Sequence, residues 1–390
     1  MPHADRRHLL LLVALLPLAL SCSTAARRGA RPPATDRMRV EADAALDTTS
    51  QPRRAIYELW RAYLTEGLAD LPPSPYWARE EQNRWPQFDL VGAETYRSPA
   101  FRATHHAVVL NIDPAAGDSI ADRYVIRSWL DAEGTREDYI VRVYAVRERG
   151  GWVLSNSLVQ RTRGWRETRV GRIVYVAPPT RPIDRARAER AGAFLDSLAD
   201  ELGAPLPNRL WYVLTPSPGE MRAMIGLEVT RQAFTGKAFY GNRLTLSGAP
   251  ALGEEYLHEL AHFVWPPRSS MRPPNRILVE GIATWAAGRH SGTLPRTMAA
   301  LATHLRAHPE LTFAAIAQAT RIDQTPAFYP TGALLCQLAY ERGGVRAVRR
   351  LLESGPTLAE LTETVEKVLG VRRAELDRAL RAAAERLASP

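Results

Sequence analysis

The sequence predicts an α+β fold in two unequal parts, on the evidence of two periodicities and of the composition. Apolar residues recur at helical spacing over residues 55–68, alternate with polar ones between about 104 and 176, and return to helical spacing later. A helix, then consecutive hairpins, then mainly helices is typical of an α+β layout. Hydrophobic residues make up 45% and charged residues 24% of the chain, which excludes wholesale disorder.

The first 21 residues are typical of a secretory signal. Arg6 and Arg7 precede an apolar run over residues 9–20, which is too short to span a bilayer of about 30 Å. Residues 18–22, Leu-Ala-Leu-Ser-Cys, resemble the lipobox of bacterial lipoproteins, although the commonest pattern has leucine where Ala19 stands. The resemblance implies that Cys22 carries lipid and becomes the mature N-terminus. The alternative is plain cleavage after Ser21 and secretion.

Residues 22–50 are rich in arginine, proline and small residues, and predict a flexible tether behind the lipidated cysteine. The first domain is predicted over residues 51–176. Its strands are predicted at 105–112, 123–130, 138–147 and 152–160, with 172–176 as one more. This order, with the hairpin between Tyr144 and Trp152, resembles the cone-shaped domain of the nuclear transport factor 2-like superfamily. Such domains serve enzymes and binding modules alike, so the resemblance implies no particular ligand.

The net charge of +9 arises from 51 basic and 42 acidic residues, and only Lys237 and Lys367 of the basic residues are lysine. Such an excess admits nucleic acid or an anionic membrane surface as a partner. The arginines are interleaved with glutamates along predicted helices, however, and no recognition motif accompanies them. We therefore expect solvated helix faces and no nucleic-acid partner. Cys336 lies on an apolar helix face and is predicted to be a core thiol.

The second domain, predicted over residues 177–390, is mainly helical. It begins with a helix at 183–202, a strand at 209–214, a helix at 218–225 and a strand at 238–246. Further helices are predicted at 297–307, 313–319, 332–342, 345–353, 358–369 and 374–387. Between these two groups stands the segment with the strongest chemical signal.

Residues 258–262 read His-Glu-Leu-Ala-His, a spacing that puts both imidazoles on one face of a helix. His258 and His262 can then bind one metal ion, while Glu259, one step round the helix, can act on a water molecule as general base. The apolar stripe that anchors this helix is Leu257, Leu260, Ala261 and Val264. A pair of packed histidines is the plain alternative, and a catalytic zinc site would need a third protein ligand.

Residues 278–286, Leu-Val-Glu-Gly-Ile-Ala-Thr-Trp-Ala, resemble the second metal-binding helix of the gluzincin metallopeptidases. In that family a glutamate on this helix is the third zinc ligand, and Glu280 matches it. Seventeen residues separate His262 from Glu280, near the eighteen usual for aminopeptidase-type members. The family often has an acidic residue four positions later, which orients a histidine. Thr284 stands there in this chain, which puts that orienting contact in question.

Residues 328–335 resemble the helix start that supplies a tyrosine in gluzincins, which implies that Tyr329 hydrogen-bonds the oxyanion. A core tyrosine is the alternative for Tyr329, and His290 is a rival for the oxyanion role. The strand before the zinc helix matches in order the family's edge strand, which binds an extended peptide as an added strand. The residues of that strand expected to contact substrate are Asn242, Arg243 and Thr245.

These observations predict a zinc-dependent metallopeptidase with one Zn²⁺ ion and a peptide or protein substrate. The absence of an amine-anchoring acidic motif tilts the prediction towards an endopeptidase. The lipid anchor implies an extracytoplasmic, membrane-attached location. The alternative is a non-catalytic zinc-containing binding or assembly lipoprotein, and the intact Glu259 argues against it.

Overall fold

The computed structural model describes residues 37–68, 72–115, 122–132, 139–230, 234–265, 275–319 and 325–388. This part of the chain has the predicted α+β fold, with two mixed sheets and a helical layer. The predicted signal segment 1–21 and Cys22 lie outside the described residues. Within these ranges no helix combines the length and the apolar character that crossing a bilayer requires.

The strands and helices follow one another in mixed order along the chain. The strands are β1 (Val40–Ala42), β2 (His105–Pro114), β3 (Arg123–Ala132), β4 (Tyr139–Glu148), β5 (Gly151–Ser155), β6 (Arg166–Val170), β7 (Ile173–Ala177), β8 (Leu210–Leu214), β9 (Leu227–Val229), β10 (Gly236–Phe239) and β11 (Leu244–Ser247). The helices are α1 (Gln51–Ala62), α2 (Arg79–Arg84), α3 (Leu90–Glu94), α4 (Pro99–Arg102), α5 (Ser157–Arg161), α6 (Arg185–Leu202), α7 (Pro218–Ile225), α8 (Leu257–Ala261), α9 (Arg276–Ser291), α10 (Leu294–Ala307), α11 (Phe313–Ala317), α12 (Phe328–Leu352), α13 (Leu358–Leu369) and α14 (Leu376–Ala388).

The first sheet has the strand order β1-β2-β3-β4-β5, and β9 also pairs with β4. Strands β2 to β5 form the predicted antiparallel meander. Helix α1 packs on the sheet through Ile56 and Trp60, both fully buried, and Trp60 Nε1 donates to Ser128 Oγ at 2.9 Å. The helical spacing of apolar residues therefore marked the helix correctly, although α1 starts four residues earlier than predicted and continues into a π-helical turn, Tyr63–Gly67.

The prediction of a tether as far as residue 50 is wrong for residues 38–42. Strand β1 pairs in parallel with β2, with Val40 opposite Ala107. Met38 is 1% exposed, and its backbone N–H donates to Leu64 O at 3.4 Å. Three strand residues are too few for a periodic signal in the sequence. The strand forms because β2 offers the open edge of the sheet, which no local pattern reveals.

The second sheet has the order β10-β11-β8-β7-β6. Strands β7, β8 and β11 are parallel, and the edge strands β6 and β10 are antiparallel to their neighbours. The prediction that residues 172–176 add a strand to the first sheet is therefore wrong, and a boundary after residue 176 falls inside the second sheet. Both faces of β7 are buried: Ile173 and Tyr175 face the helices, whereas Val176 faces the first domain. Burial on both faces explains its continuous apolar sequence.

The later helices cover one face of the second sheet and share one core with it. The predicted break between helices 332–342 and 345–353 is confirmed within α12, where Gly343 and Gly344 leave helical geometry (φ −153° and 60°). Helix α7 has the bounds that the sequence predicts. Cys336 is fully buried, as predicted for a core thiol, and burial raises the pKa of its thiol.

The predicted strand over residues 152–160 is wrong beyond Ser155, because residues 157–161 form α5. The buried carboxylate of Glu81 binds the residues at which strand β5 ends and the chain turns into helix α5. It accepts hydrogen bonds from the backbone N and the Nδ2 of Asn156, both at 2.8 Å, and from Ser155 Oγ. Burial raises the pKa of Glu81 to about 7, against the opposing effect of these bonds.

We expect Glu81 to lower the free energy of unfolding by roughly 3 kcal/mol as the pH rises from about 4.5 to 8. Its pKa is about 7 in the fold, against 4.5 for an ordinary glutamate, so the folded state binds more protons in that window. Urea unfolding from pH 5 to 8 should show this slope for the wild type and a much flatter one for Glu81→Gln. Equal slopes for the two proteins would contradict the prediction.

Candidate metal centre

The His-Glu-Leu-Ala-His segment occupies helix α8 and the residue that ends it. The chain before it is fixed by Tyr212, whose hydroxyl donates to Gly253 O at 2.7 Å and accepts from Tyr256 N at 3.2 Å. The residues of the predicted apolar stripe that are fully buried are Leu260, Ala261 and Val264. Anchored in this way, α8 presents His258 and His262 on one side, with their ring centroids 4.9 Å apart.

Glu280 lies in the second turn of α9, a helix capped by Asn275, whose side chain accepts from Ile277 N at 3.2 Å. Helix α9 packs so closely on α12 that Gly281 and Gly332 meet backbone to backbone. A side chain at either glycine would push the two helices apart. This close packing therefore fixes α9, which carries Glu280, against α12, which carries Tyr329.

The three predicted metal ligands come together, and we call His258, His262 and Glu280 the metal group. Their ligand atoms lie within 4.8 Å of one another. Oε2 of Glu280 is 3.2 Å from Nε2 of His258 and 3.6 Å from Nε2 of His262. Donor atoms of a tetrahedral zinc site, with bonds of about 2.0–2.1 Å, are about 3.4 Å apart. Within the described ranges no other group of three or more such side chains has this spacing, and this one can hold a metal ion.

The carboxylate of Glu280 and the two imidazoles of the metal group stabilise one another electrostatically. Burial disfavours the charged form of Glu280, but hydrogen bonds from His258 and His262 outweigh it and hold the pKa of Glu280 well below its usual range. Burial also favours neutral His258, whereas its bond to Glu280 and the charges of Glu259 and Glu280 raise its pKa. A carboxylate buried between two imidazoles is stabilised by positive charge, which protons or a metal ion can provide.

Thr284 contacts both Glu280 and His258, at the position where the sequence comparison expects an orienting acidic residue. Its hydroxyl donates to Glu280 O at 2.9 Å, and its oxygen lies 3.4 Å from Nδ1 of His258. With its proton given to the carbonyl, the hydroxyl can accept from Nδ1–H, so that Nε2 of His258 could bind a metal ion in place of the proton that it shares with Glu280. The Nδ1 of His262 is buried and has no hydrogen-bond partner in the described part of the chain.

Glu259 belongs to a cavity of about 580 Å³ beside the metal group. Its side chain is 7% exposed and lies against Gly236 of β10. A Cβ atom at Gly236 would come 2.5 Å from Glu259 Oε1, so the strand can approach this carboxylate only because the residue is glycine. The cavity is lined by Pro218, Arg222, Phe234, Thr235, Gly236, Tyr256, His258, Glu259 and Tyr329.

Tyr329 lines the same cavity, with its ring centroid 5.8 Å from that of His258. Burial raises the pKa of its hydroxyl, and the charges of Glu280 and Glu259 add to this, so the group is a hydrogen-bond donor at neutral pH. The rival His290 lies at the exposed end of α9, ten residues and about 15 Å further along the helix from Glu280. The structure therefore brings Tyr329 to the metal group and leaves His290 away from it.

Two further tyrosines surround the site, and the sequence reasoning missed both. The ring of Tyr240 meets that of His262 edge-on, with centroids 5.6 Å apart. The hydroxyl of Tyr256 lies 3.0 Å from Thr235 Oγ1 at the cavity wall. Burial, followed by the nearby glutamate charges, raises the pKa of both tyrosines. The one available signal was that Tyr240 lies within the predicted strand 238–246 and Tyr256 two residues before the histidine motif.

The structure does not bring the predicted substrate residues Asn242, Arg243 and Thr245 to the cavity, since none of the three lines it. Residues 238–246 do not form a single strand. They belong to a hairpin of β10 and β11, which turns at Arg243 with a φ of 51°. Strand β11 lies between β10 and β8, so Thr245 is fully buried and donates to Lys237 O at 3.1 Å. Asn242 exchanges two hydrogen bonds with the backbone of Gln87.

The edge strand of the second sheet that lies beside the cavity is therefore β10, which is bonded to a strand on one side only in the described part of the chain. Models of known protein families do not match this chain, and a search of curated proteins finds no match either. The site is defined by its own geometry: a buried group of two histidines and one glutamate, with a separate carboxylate and a tyrosine in one cavity beside a sheet edge.

Proposed function

We propose that this protein is a zinc-dependent peptidase of gluzincin type, attached outside the cytoplasmic membrane through the lipid predicted at Cys22. The observation that carries the proposal is the position of Glu259. It adjoins the metal group, shares a cavity with Tyr329 and lies against the edge strand β10 at Gly236. A carboxylate next to a metal site and a strand edge is suited to act on the backbone of a bound peptide.

The metal group would hold the ion. Two imidazoles and one carboxylate form a donor set typical of catalytic zinc, which keeps a further position open. When bound, zinc polarises a carbonyl and lowers the pKa of water to about 7. Thr284 orients His258 for this role through its 3.4 Å contact with Nδ1.

The other steps belong to the side chains and the backbone. An extended peptide pairs with the open edge of β10 and passes Glu259 at Gly236. Glu259 takes a proton from the water whose oxygen bonds to the carbonyl carbon. It then delivers this proton to the amide nitrogen as the C–N bond breaks. Tyr329 donates a hydrogen bond to the oxyanion that forms in between.

The proposal is tested by measuring zinc content and hydrolysis of a peptide library on the full chain. We expect one zinc ion per chain, loss of hydrolysis after chelation and its return when zinc is added. His262→Ala should lose both zinc and hydrolysis because it removes a ligand. His290→Ala is the matched control and should keep both, since His290 lies at the exposed end of α9.

Two outcomes would contradict the proposal. A chain that binds no zinc would remove its basis altogether. A chain that binds zinc stoichiometrically but hydrolyses no peptide in the library would favour the non-catalytic binding lipoprotein instead.

A further inference from the structure

Arg222 is a cation in the catalytic cavity that forms no ion pair in the described part of the chain. It belongs to α7 and lines the cavity together with Glu259 and Tyr329. Its side chain is half-buried, and it forms no hydrogen bond or ion pair within the described part of the chain. A guanidinium group that is partly withdrawn from water and unpaired is an unusual arrangement, because such groups are normally matched by carboxylates.

The acidic residues nearest to Arg222 in the sequence are all engaged elsewhere. Glu220, on the same helix, accepts from Arg161 at 2.7 Å. Glu228 of β9 pairs with two arginines of the first sheet, Arg127 and Arg142. Because both glutamates form ion pairs with other arginines, neither of them pairs with Arg222.

The other charges around the site are balanced as well. Lys237 of β10 has its ammonium nitrogen 2.7 Å from Glu94 of the first domain. The carboxylates of Glu259 and Glu280 would offset the two charges of a divalent ion in the metal group. Arg222 is the one arginine or lysine among the described residues that line the cavity.

We propose that Arg222 selects substrates that carry a carboxylate close to the cleaved bond, an inference that rests on the proposed peptidase function. Arginine binds a carboxylate through two parallel N–H···O bonds, which single out a planar acid. Pro218, one turn before Arg222 on α7, and Phe234 also line the cavity and offer apolar contact to the methylene groups that lead to the acid. The carboxylate belongs either to an acidic side chain or to the C-terminus of a short peptide.

Pairs of blocked peptides that differ only by Glu or Gln at one position, scanned along the chain, test the side-chain source. A second set, with the same sequences carrying a free or an amidated C-terminus, tests the terminal source. For the wild type we expect kcat/KM to be at least about tenfold higher for the carboxylate member of one pair, the scale of a charge-assisted hydrogen bond.

Arg222→Gln should bring that ratio to within about twofold, chiefly by slowing cleavage of the carboxylate member. Arg222→Lys should keep part of the preference, and Arg222→Glu should reverse it towards lysine-containing peptides. Arg378→Gln is the matched control, since its side chain is 83% exposed on α14, and it should behave as the wild type. Thermal melts verify that each variant is folded.

The inference is overturned if the wild type cleaves peptides without preferring either carboxylate, or if Arg222→Gln keeps the preference. To distinguish failure of the peptidase proposal from failure of the Arg222 inference, binding of the same peptide pairs to zinc-loaded Glu259→Gln protein is measured. Absence of hydrolysis together with Arg222-dependent binding of the acidic member would reject the peptidase and keep carboxylate recognition. Absence of both would reject the two together.

Discussion

Glu259→Gln is expected to reduce peptide hydrolysis by a factor of about 10² to 10⁴, the usual contribution of general acid–base catalysis. The amide has the shape of the carboxylate but cannot take up a proton from water. The zinc content should stay at one ion per chain, because Glu259 lies outside the metal group. Single-turnover hydrolysis of a cleaved library peptide, together with metal analysis, measures both quantities.

The control for this variant is Glu363→Gln on α13, whose side chain is 63% exposed and pairs only with Lys367 in the described structure. We expect it to hydrolyse peptides as the wild type does. A Glu259→Gln protein that keeps more than a tenth of the wild-type rate would show that another group removes the proton. Loss of zinc from this variant would show that Glu259 is itself a ligand.

Gly332→Ala is expected to destabilise the protein by about 1–3 kcal/mol or more and to weaken the site at the same time. The new methyl group would overlap the carbonyl oxygen of Ile277 and lie 2.7 Å from the Cα of Gly281. Helices α9 and α12 must then separate, and they carry Glu280 and Tyr329. We therefore expect a lower melting temperature, weaker zinc binding and slower hydrolysis in the same variant.

Gly192→Ala is the matched control because a Cβ atom at this glycine of α6 meets no atom within 4 Å. Alanine favours a helix over glycine by about 0.5–1 kcal/mol, so this variant should melt slightly higher than the wild type and keep its zinc. A Gly332→Ala protein that melts and binds zinc like the wild type would contradict the proposed role of the glycine contact.

The parts of this protein that depend on local spacing could be predicted from the sequence. A spacing of four positions places His258 and His262 on one helix face, and the structure confirms that they meet Glu280. The meander of the first sheet and the break at Gly343 and Gly344 also follow from local periodicity and from glycine. Each of these features is encoded within a few turns of helix or one hairpin.

The pairing of strands that are distant in the sequence could not be predicted in the same way. Whether a strand lies at an edge or inside a sheet depends on elements far away in the chain, so Thr245 is buried in β11 and β10 provides the open edge. The same holds for β7, whose apolar sequence fits either sheet until its pairing with β8 places it in the second.

The site itself contains both features that the sequence predicts and features that only the tertiary structure reveals. Short-range spacing was enough to identify His258, Glu259 and His262, because a helix imposes their relative positions. The cavity, the contact of Gly332 with α9 and the position of Arg222 in the cavity wall arise when segments from about fifty to more than a hundred residues apart pack together. The residues of the histidine motif are therefore positioned by local sequence, whereas the cavity wall that we propose selects the substrate forms only when distant segments pack together.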